Sequence, residues 1–234
     1  MKMHEAFAAY EGVRHRLPPV SRNAACQQFP DLDAIASEID VFLLDAFGVL
    51  NIGDTAIPGV PERVAGLQRA GKRVLVVSNA AGYPHSNLMR KYNSLGYDFS
   101  PEDVITSRKA TLAGLLNLPT LRWGLMATKS LGREDLEHID VTYLAENLAA
   151  YDEAEGFILM GSAVWSEQRQ ALLEISLSRN SRPVIVGNPD IVAPRENSFS
   201  KEPGRFAHRL ADTTGVVPQF FGKPFSNIFD LAFE

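Results

Sequence analysis

The sequence predicts an α/β fold built on a parallel sheet, and three observations support this prediction. Val41–Leu44 is a continuous apolar run of strand length that ends at Asp45. A second such run, residues 74–77, ends at Ser78, and a segment with helical spacing lies between the two. Continuous apolar runs are typical of strands that are buried on both faces of a parallel sheet. The alternation of strands and helices along the rest of the chain completes the pattern of an α/β protein.

The elements before the first strand are short. Residues 1–30 form a predicted N-terminal extension with one short helix, because their prolines break any longer one. Residues 31–39 carry apolar side chains at helical spacing after Asp31, which can cap a helix. We therefore expect a helix over residues 31–39, directly before the first strand.

The segment between the two apolar runs has the signals of a crossover helix. Pro61 suits the first turn of a helix, and Gly71 suits its end. Strand, helix and strand then make a βαβ unit, in which the strands are parallel and the connection is right-handed. The remaining predicted elements are helices over residues 86–95, 167–179 and 224–234, and strands over residues 103–107, 123–127, 156–160 and 183–186.

Composition excludes several classes of protein. The formal net charge of -5 gives no electrostatic basis for nucleic-acid binding. No apolar run is long enough for a membrane span, and residues 1–12 contain no long apolar segment of the kind found in secretory leaders. Cys26 is the single cysteine, so neither an internal disulfide nor a cysteine zinc site can form. We expect a cytoplasmic protein that binds neither nucleic acid nor membranes.

Polar residues stand at the carboxyl ends of the first two predicted strands. Ligands of open parallel sheets bind beyond these ends, and Asp45 and Ser78 occupy them on strands joined by one crossover. A carboxylate at such a place can act as a nucleophile or as a metal ligand. A serine hydroxyl and the amides that follow it can hold a phosphate oxygen. The two residues together indicate a phosphate site at this edge of the sheet.

Three segments resemble, in order and spacing, the motifs of the haloacid dehalogenase superfamily. Residues 45–50, Asp-Ala-Phe-Gly-Val-Leu, resemble its first motif, with Asp45 at the position of the nucleophile. Residues 76–79, Val-Val-Ser-Asn, resemble the second motif, and residues 222–224, Gly-Lys-Pro, resemble the lysine motif. Residues 187–190, Gly-Asn-Pro-Asp, followed by Pro194, Pro203-Gly204 and the lysine motif, resemble the corresponding segments of one branch of the superfamily. In that branch a large α/β cap is inserted between the second and third motifs. That branch includes nucleotide, sugar-phosphate and aryl-phosphate phosphatases.

The resemblance implies a Mg²⁺-dependent phosphatase that acts on a small phosphorylated metabolite. Asp45 would be the nucleophile and would form an aspartyl-phosphate, which water then hydrolyses. Mg²⁺ would be held by the Asp45 carboxylate and by the backbone carbonyl of Phe47. Ser78 and Asn79 would bind the phosphoryl oxygens. Lys223 would bind them as well, and would neutralise charge between Asp45 and the phosphate.

The resemblance also implies two domains. A Rossmann-like parallel-sheet core would comprise residues 31–108 and 215–234, and an inserted α/β cap would comprise residues 109–214. The cap would close over the substrate and exclude water from the site. Asn188 and Asp190 would lie near the boundary of cap and core as a candidate substrate loop, although both residue types also suit a simple turn.

The sequence departs from the family's pattern at two places. Phe47 stands where the family's phosphatases carry a second aspartate, the general acid, and loss of such an acid costs about 10²–10⁴-fold in rate. Aryl and acyl phosphates should suffer least, because their leaving groups need the least protonation. Eleven residues follow Lys223, and we interpret Asp230 and Glu234 as helix-surface charges rather than as the family's acidic fourth motif. A core one strand short would expose a sheet edge, and a homodimer is the association we expect from it.

Two other functions stay open. A catalytically weak or inactive relative that binds a phosphorylated ligand or a partner agrees with both departures. A dehalogenase agrees with an aromatic residue at position 47 and needs no metal, but its helical cap lies between the first two motifs. The interval from Asp45 to Ser78 is too short to hold such a cap beside the crossover helix.

Overall fold

A computed structural model describes residues 2–19, 26–195 and 198–234, so the predicted N-terminal extension lies partly outside the described residues. The strands in the described ranges are β1 (Val41–Leu44), β2 (Asn51–Ile52), β3 (Thr55–Ala56), β4 (Arg73–Ser78), β5 (Val104–Thr106), β6 (Trp123–Met126), β7 (Val141–Tyr143), β8 (Gly156–Leu159), β9 (Val184–Val186), β10 (Val192–Pro194), β11 (Phe199–Lys201) and β12 (Gln219–Phe220). The α-helices are α1 (Met3–Val13), α2 (Asp33–Ala36), α3 (Val60–Arg69), α4 (His85–Ser94), α5 (Ser107–Leu115), α6 (Leu148–Glu153), α7 (Glu167–Arg179), α8 (Pro203–Thr214) and α9 (Ser226–Phe233).

The first sheet is parallel and consists of β1, β4 and β5 in that order. α3 connects β1 to β4, so the predicted βαβ unit is confirmed. Val76 and Val104, on the neighbouring strands β4 and β5, are fully buried. Burial of an aliphatic side chain of this size stabilises the fold by about 1.5–3 kcal/mol relative to exposure. The hydrophobic run of β4 therefore fixes the position of the residues at its carboxyl end.

The second sheet is also parallel, with five strands in the order β12-β9-β8-β6-β7. The strands predicted over residues 123–127, 156–160 and 183–186 are confirmed as β6, β8 and β9. The sequence did not predict β7 and β12, which are only three and two residues long. With helices packed against both parallel sheets, the predicted α/β class is confirmed.

The C-terminal residues contact both sheets. β12 pairs with β9, which lies in the segment predicted as the cap, whereas α9 packs against α5, β4 and β5. The division into a core of residues 31–108 and 215–234 and a cap of residues 109–214 stays a prediction. The loop between β12 and α9 brings Lys223 to the edge at which β1 and β4 end.

Two of the predicted helices are confirmed. α7 has the predicted bounds, and α4 lies within one residue of them. The helix predicted over residues 31–39 is wrong in length, since α2 is a single turn. Ile39 packs against the core of the first sheet after the chain has left the helix and turned toward β1. No helix in the described part of the chain is long and apolar enough to cross a membrane.

Candidate active site

The register of the first sheet places Asp45 and Ser78 side by side. Leu44 pairs with Val76, so Asp45 lies just past β1 at the level of Val77, and Ser78 ends β4. The Asp45 side chain is 48% exposed, and its Oδ1 accepts a hydrogen bond of 2.7 Å from the backbone N–H of Ala46. The carboxylate is therefore oriented by the chain and open to a ligand.

Lys223 completes this edge of the sheet from the far end of the chain. Its Nζ donates to Asp45 Oδ1 in an ion pair between residues 178 positions apart. The predicted neighbourhood of Asp45, Ser78 and Lys223 is thus present in the structure. Within the described residues, both hydrogen bonds of the Asp45 carboxylate go to Oδ1, which leaves Oδ2 as the oxygen presented to a ligand.

Gly222 allows the lysine loop to approach the first sheet closely. Its φ is +116°, and a Cβ at this position would lie 2.6 Å from Asn79 Oδ1 and 2.8 Å from the Cβ of Ser107. The backbone N–H of Gly222 donates to Asn227 Oδ1 at 2.9 Å, which ties the loop to the start of α9. Only glycine fits here, because any other residue would be strained at this positive φ and its Cβ would overlap with these neighbouring atoms.

The Asn79 side chain holds the lysine loop in place. Its Oδ1 accepts from the backbone N–H of Lys223 at 2.7 Å, and its Nδ2 donates to the carbonyl of Lys223 at 3.0 Å. Nδ2 also donates to Asp190 Oδ1 at 2.9 Å. These contacts occupy the amide, so the structure gives the Asn79 side chain a positioning role. The contact of Asn79 with phosphate stays a prediction, and the backbone of Asn79 rather than its side chain would make it.

The candidate substrate loop reaches the same cluster through Asp190. The backbone N–H of Asp190 donates to Asn188 Oδ1 at 2.9 Å, and Asn188 Nδ2 donates to Glu202 Oε2 at 3.2 Å. Burial raises the pKa of Asp190 to about 6, and the hydrogen bond from Asn79 and the charge of Lys223 oppose this rise. The charges of Glu202 and Asp45 reinforce it. Asp190 therefore carries a carboxyl that changes charge near neutral pH beside the nucleophile position.

Ser78 is almost completely buried, and its Oγ accepts from the backbone N–H of Ala80 at 3.3 Å. The phenol of Tyr92, on α4, lies beside it. Burial raises the pKa of Tyr92, hydrogen bonding with Ser78 opposes the rise, and the charge of Asp45 adds to it. Tyr92 therefore stays protonated next to Ser78 at neutral pH. Its helical position in a polar stretch gave no signal of this role.

Phe47 lies in the loop after Asp45 and contacts an arginine from the β10–β11 hairpin. The guanidinium carbon of Arg195 is 5.5 Å from the centroid of the Phe47 ring. The sequence gave no indication of Arg195, because β10 and β11 are three residues long and the hairpin was not predicted. Asp230 and Glu234 are exposed, in agreement with their interpretation as surface charges.

The candidate metal ligands form a small set. Within residues 2–19, 26–195 and 198–234, no group of three or more histidine, cysteine, aspartate or glutamate side chains could hold a metal ion. Mg²⁺ in proteins is often bound through one or two carboxylates, with water and substrate phosphate supplying the other ligands. The exposed Asp45 carboxylate fits that minimal arrangement, and the predicted second ligand is the Phe47 carbonyl.

The chain has relatives among known phosphatases. Residues 42–138 match the model of the haloacid dehalogenase-like hydrolase family. The chloroplastic phosphoglycolate phosphatase 1A of Arabidopsis thaliana is 32% identical over 100 residues, which are 42% of this chain and 28% of that protein. The 4-nitrophenylphosphatase of Schizosaccharomyces pombe is 23% identical over 211 residues, which are 82% of this chain and 71% of that protein. The chain thus spans less than a third of the plant relative.

A solved structure shares the fold. The glycerol phosphate phosphatase Rv1692 of Mycobacterium tuberculosis, solved in complex with calcium, superposes with a TM-score of 0.68. The superposition covers 85% of this chain and 57% of that chain, at 21% sequence identity. Residues 42–138 thus match a model of the haloacid dehalogenase-like hydrolases, and the chain shares its fold with a solved phosphatase structure.

Proposed function

We propose that this chain is a haloacid dehalogenase-like hydrolase, a Mg²⁺-dependent phosphatase that acts on a small phosphorylated metabolite through an aspartyl-phosphate. The observation that carries the proposal is the ion pair between Lys223 Nζ and Asp45 Oδ1 at the carboxyl end of β1. A lysine held beside a carboxylate can neutralise the charge of an arriving phosphate, which otherwise repels the nucleophile. Ser78, at the end of the neighbouring strand, supplies a hydroxyl on the other side.

The proposed reaction has two steps. Oδ2 of Asp45 attacks phosphorus, a new oxygen–phosphorus bond forms, and the bond from phosphorus to the leaving-group oxygen breaks with its electron pair. The leaving group then takes a proton from solvent. Water hydrolyses the acyl phosphate in the second step, which releases inorganic phosphate and restores Asp45. Lys223 stays protonated throughout and compensates charge on the phosphoryl oxygens.

The proposed cation would be held by the Asp45 carboxylate and the Phe47 carbonyl, and would draw charge from the phosphoryl oxygens when bound. The calcium in the mycobacterial relative supports an oxygen-ligand cation site in this fold. Lys223 and the Ser78 hydroxyl would orient the phosphoryl group against Asp45 in either case.

The proposed substrate preference follows from Phe47. A phenylalanine cannot donate a proton, so the leaving group has to depart as an anion or be protonated by solvent. Aryl and acyl phosphates meet that condition best. Their leaving groups are phenolates and carboxylates, whose conjugate acids are stronger acids than alkyl alcohols. The names of the two phosphatase relatives, one acting on an aryl phosphate and one on a carboxylate-bearing alkyl phosphate, support a phosphomonoester as the substrate.

The test is phosphate release from aryl, acyl and sugar phosphates with and without Mg²⁺. Asp45→Asn is the test variant, and Asp98→Asn, which changes an exposed carboxylate elsewhere, is the matched control. We expect Mg²⁺-dependent turnover that Asp45→Asn abolishes and Asp98→Asn preserves, with aryl or acyl substrates turned over fastest. Turnover that survives Asp45→Asn, or that does not depend on Mg²⁺, would contradict the proposal.

A second candidate function is binding of a phosphorylated ligand without turnover. It is favoured by Phe47 in place of an acid and by the small number of acidic side chains near Asp45 within the described residues. A folded chain that binds inorganic phosphate but releases none from any substrate would establish this alternative. We place the protein in the cytoplasm in either case, because its exposed lone Cys26 suits a reducing compartment.

A further inference from the structure

Arg195 is a charged side chain near the nucleophile that the proposed mechanism does not use. It follows β10, and its backbone N–H donates to the carbonyl of Ser198 at 2.7 Å. Its Nε donates to Ser200 Oγ at 3.1 Å, and its Nη2 lies 3.6 Å from Glu202 Oε1. The hairpin thus holds the guanidinium from one side.

The guanidinium faces the loop that follows the nucleophile. Its carbon lies 5.5 Å from the centroid of the Phe47 ring, within the distance of a cation–π contact. Phe47 is two residues after Asp45, so the Cα atoms of the two residues can be at most about 7 Å apart. The charge of Arg195 also lowers the pKa of Asp54, in the turn between β2 and β3, after the larger effect of Lys91. Arg195 therefore lies against the loop that follows Asp45.

The guanidinium retains donors that can bind a ligand. Arginine has five N–H donors in a planar fork. In the described structure, its polar contacts use Nε and, at the longer distance of 3.6 Å, Nη2. The side chain is 46% exposed, so part of it is accessible to a ligand. A planar fork of this kind matches the two oxygens of a carboxylate or phosphate.

We propose that Arg195 is a specificity-determining residue that binds a second anionic group, a carboxylate or a phosphate, on the leaving group of the substrate. The proposal rests on the proposed phosphatase function and adds the substrate class to it. Lys223 and Ser78 take the phosphoryl group at the bottom of the site, whereas Arg195 and the face of Phe47 take the rest of the molecule. The substrate class is a phosphomonoester that carries an additional negative charge.

The test compares two phosphomonoesters that differ in this charge. Phosphoglycolate and ethyl phosphate are both two-carbon alkyl phosphates, and only the first has a carboxylate. The ratio of their kcat/KM values is measured in Mg²⁺ for the wild-type chain, Arg195→Gln and Arg195→Lys. Arg179→Gln is the matched control, because Arg179 is an exposed arginine at the end of α7, away from the site.

We expect the wild-type chain to favour phosphoglycolate by about 10–100-fold, since a hydrogen bond to a charged group contributes about 1.5–3 kcal/mol. Arg195→Gln should bring the ratio close to one, Arg195→Lys should restore part of it, and Arg179→Gln should leave it unchanged. Circular dichroism and thermal melts establish that each variant is folded. A wild-type ratio near one, or a ratio that Arg195→Gln does not alter, overturns the proposal.

Calorimetric binding separates failure of this proposal from failure of the phosphatase proposal. If the wild-type chain hydrolyses neither compound and no 4-nitrophenyl phosphate either, the phosphatase function is wrong, and the dissociation constants of both compounds then test Arg195. Tighter binding of phosphoglycolate than of ethyl phosphate, lost in Arg195→Gln, supports the role of Arg195. Equal binding of the two compounds, or a preference retained in Arg195→Gln, overturns it.

Discussion

Replacement of Asp190 by asparagine tests the electrostatics of the site through protein stability. Asp190 is partly buried beside Asn79 and Lys223, and burial raises its pKa from 3.8 to about 6. A carboxyl whose pKa is raised in the folded state contributes stability below its unfolded pKa, and that stability is lost as the pH rises through the folded pKa. The native Asp190 should therefore destabilise the protein at neutral pH. An asparagine side chain at this position cannot ionise and should remove this cost.

The size of the effect follows from the shift. One pKa unit corresponds to about 1.4 kcal/mol, so a shift from 3.8 to about 6 corresponds to about 3 kcal/mol at pH 7.5. At pH 5 the folded carboxyl is mostly protonated, and the same linkage relation gives about half that value. Asparagine retains an oxygen that can accept the hydrogen bond from Asn79 Nδ2. Asp190→Asn should thus be stabilising, and more so at pH 7.5 than at pH 5.

Urea unfolding at the two pH values measures this prediction directly, and the gain corresponds to a rise in Tm of about 6–12 °C at pH 7.5. Asp98→Asn is the control, since it changes an exposed carboxyl and should alter the free energy of unfolding by less than about 0.5 kcal/mol. A gain that is the same at both pH values would show that the effect is not one of ionisation. Destabilisation at pH 7.5 would refute the assignment of Asp190 as a buried, costly charge.

Three further predictions concern the lysine loop and the leaving-group side. Gly222→Ala should lower the free energy of unfolding by about 1–3 kcal/mol more than Gly215→Ala. Both glycines have positive φ, but a Cβ on Gly215 meets no atom of the described residues within 4 Å. Equal losses in chemical denaturation would contradict this. Lys223→Gln should lower kcat by about 10²–10³-fold, while Lys72→Gln should not, and unchanged turnover would exclude a role for the lysine at the phosphate. Phe47→Asp should raise the kcat/KM for ethyl phosphate relative to 4-nitrophenyl phosphate by about 100-fold, whereas Phe47→Leu should not. An unaltered ratio in Phe47→Asp would mean that position 47 cannot protonate the leaving group.

The sequence was sufficient to predict the first sheet and the residues at its edge. Apolar runs of four residues define β1 and the inner part of β4, and a polar residue ends each of them. The register of parallel neighbours then brings Asp45 and Ser78 together without further information. Lys223 required the resemblance to a family, because nothing in a lone Gly-Lys-Pro segment relates it to a strand 178 residues earlier.

The contacts that orient the site were beyond the reach of sequence reasoning. The Asn79 side chain accepts a hydrogen bond from the backbone of Lys223 and donates one to it, 144 residues away. A local sequence pattern cannot predict a contact between residues so far apart in the chain. Arg195 was missed for a different reason. The strands of its hairpin are too short for an alternating pattern to be recognised, and their pairing is set by tertiary packing. The exposed arginine therefore looked like any solvated surface charge.

Phe47 and Arg195 of the hairpin are consistent with one another as parts of one site. A site without a general acid works best on leaving groups that are stable as anions or that are held by a cation. In this chain the ring that replaces the acid is the surface on which Arg195 rests. An aspartate at position 47 would instead pair with the guanidinium and compete with an anionic substrate for it, because a charge-assisted pair of this kind is among the stronger contacts available to arginine. Phe47 contacts the guanidinium through its ring and adds no carboxylate that would compete with a ligand. The loss of the acid and the gain of an anion-binding arginine therefore favour the same substrates, phosphomonoesters with a second negative charge.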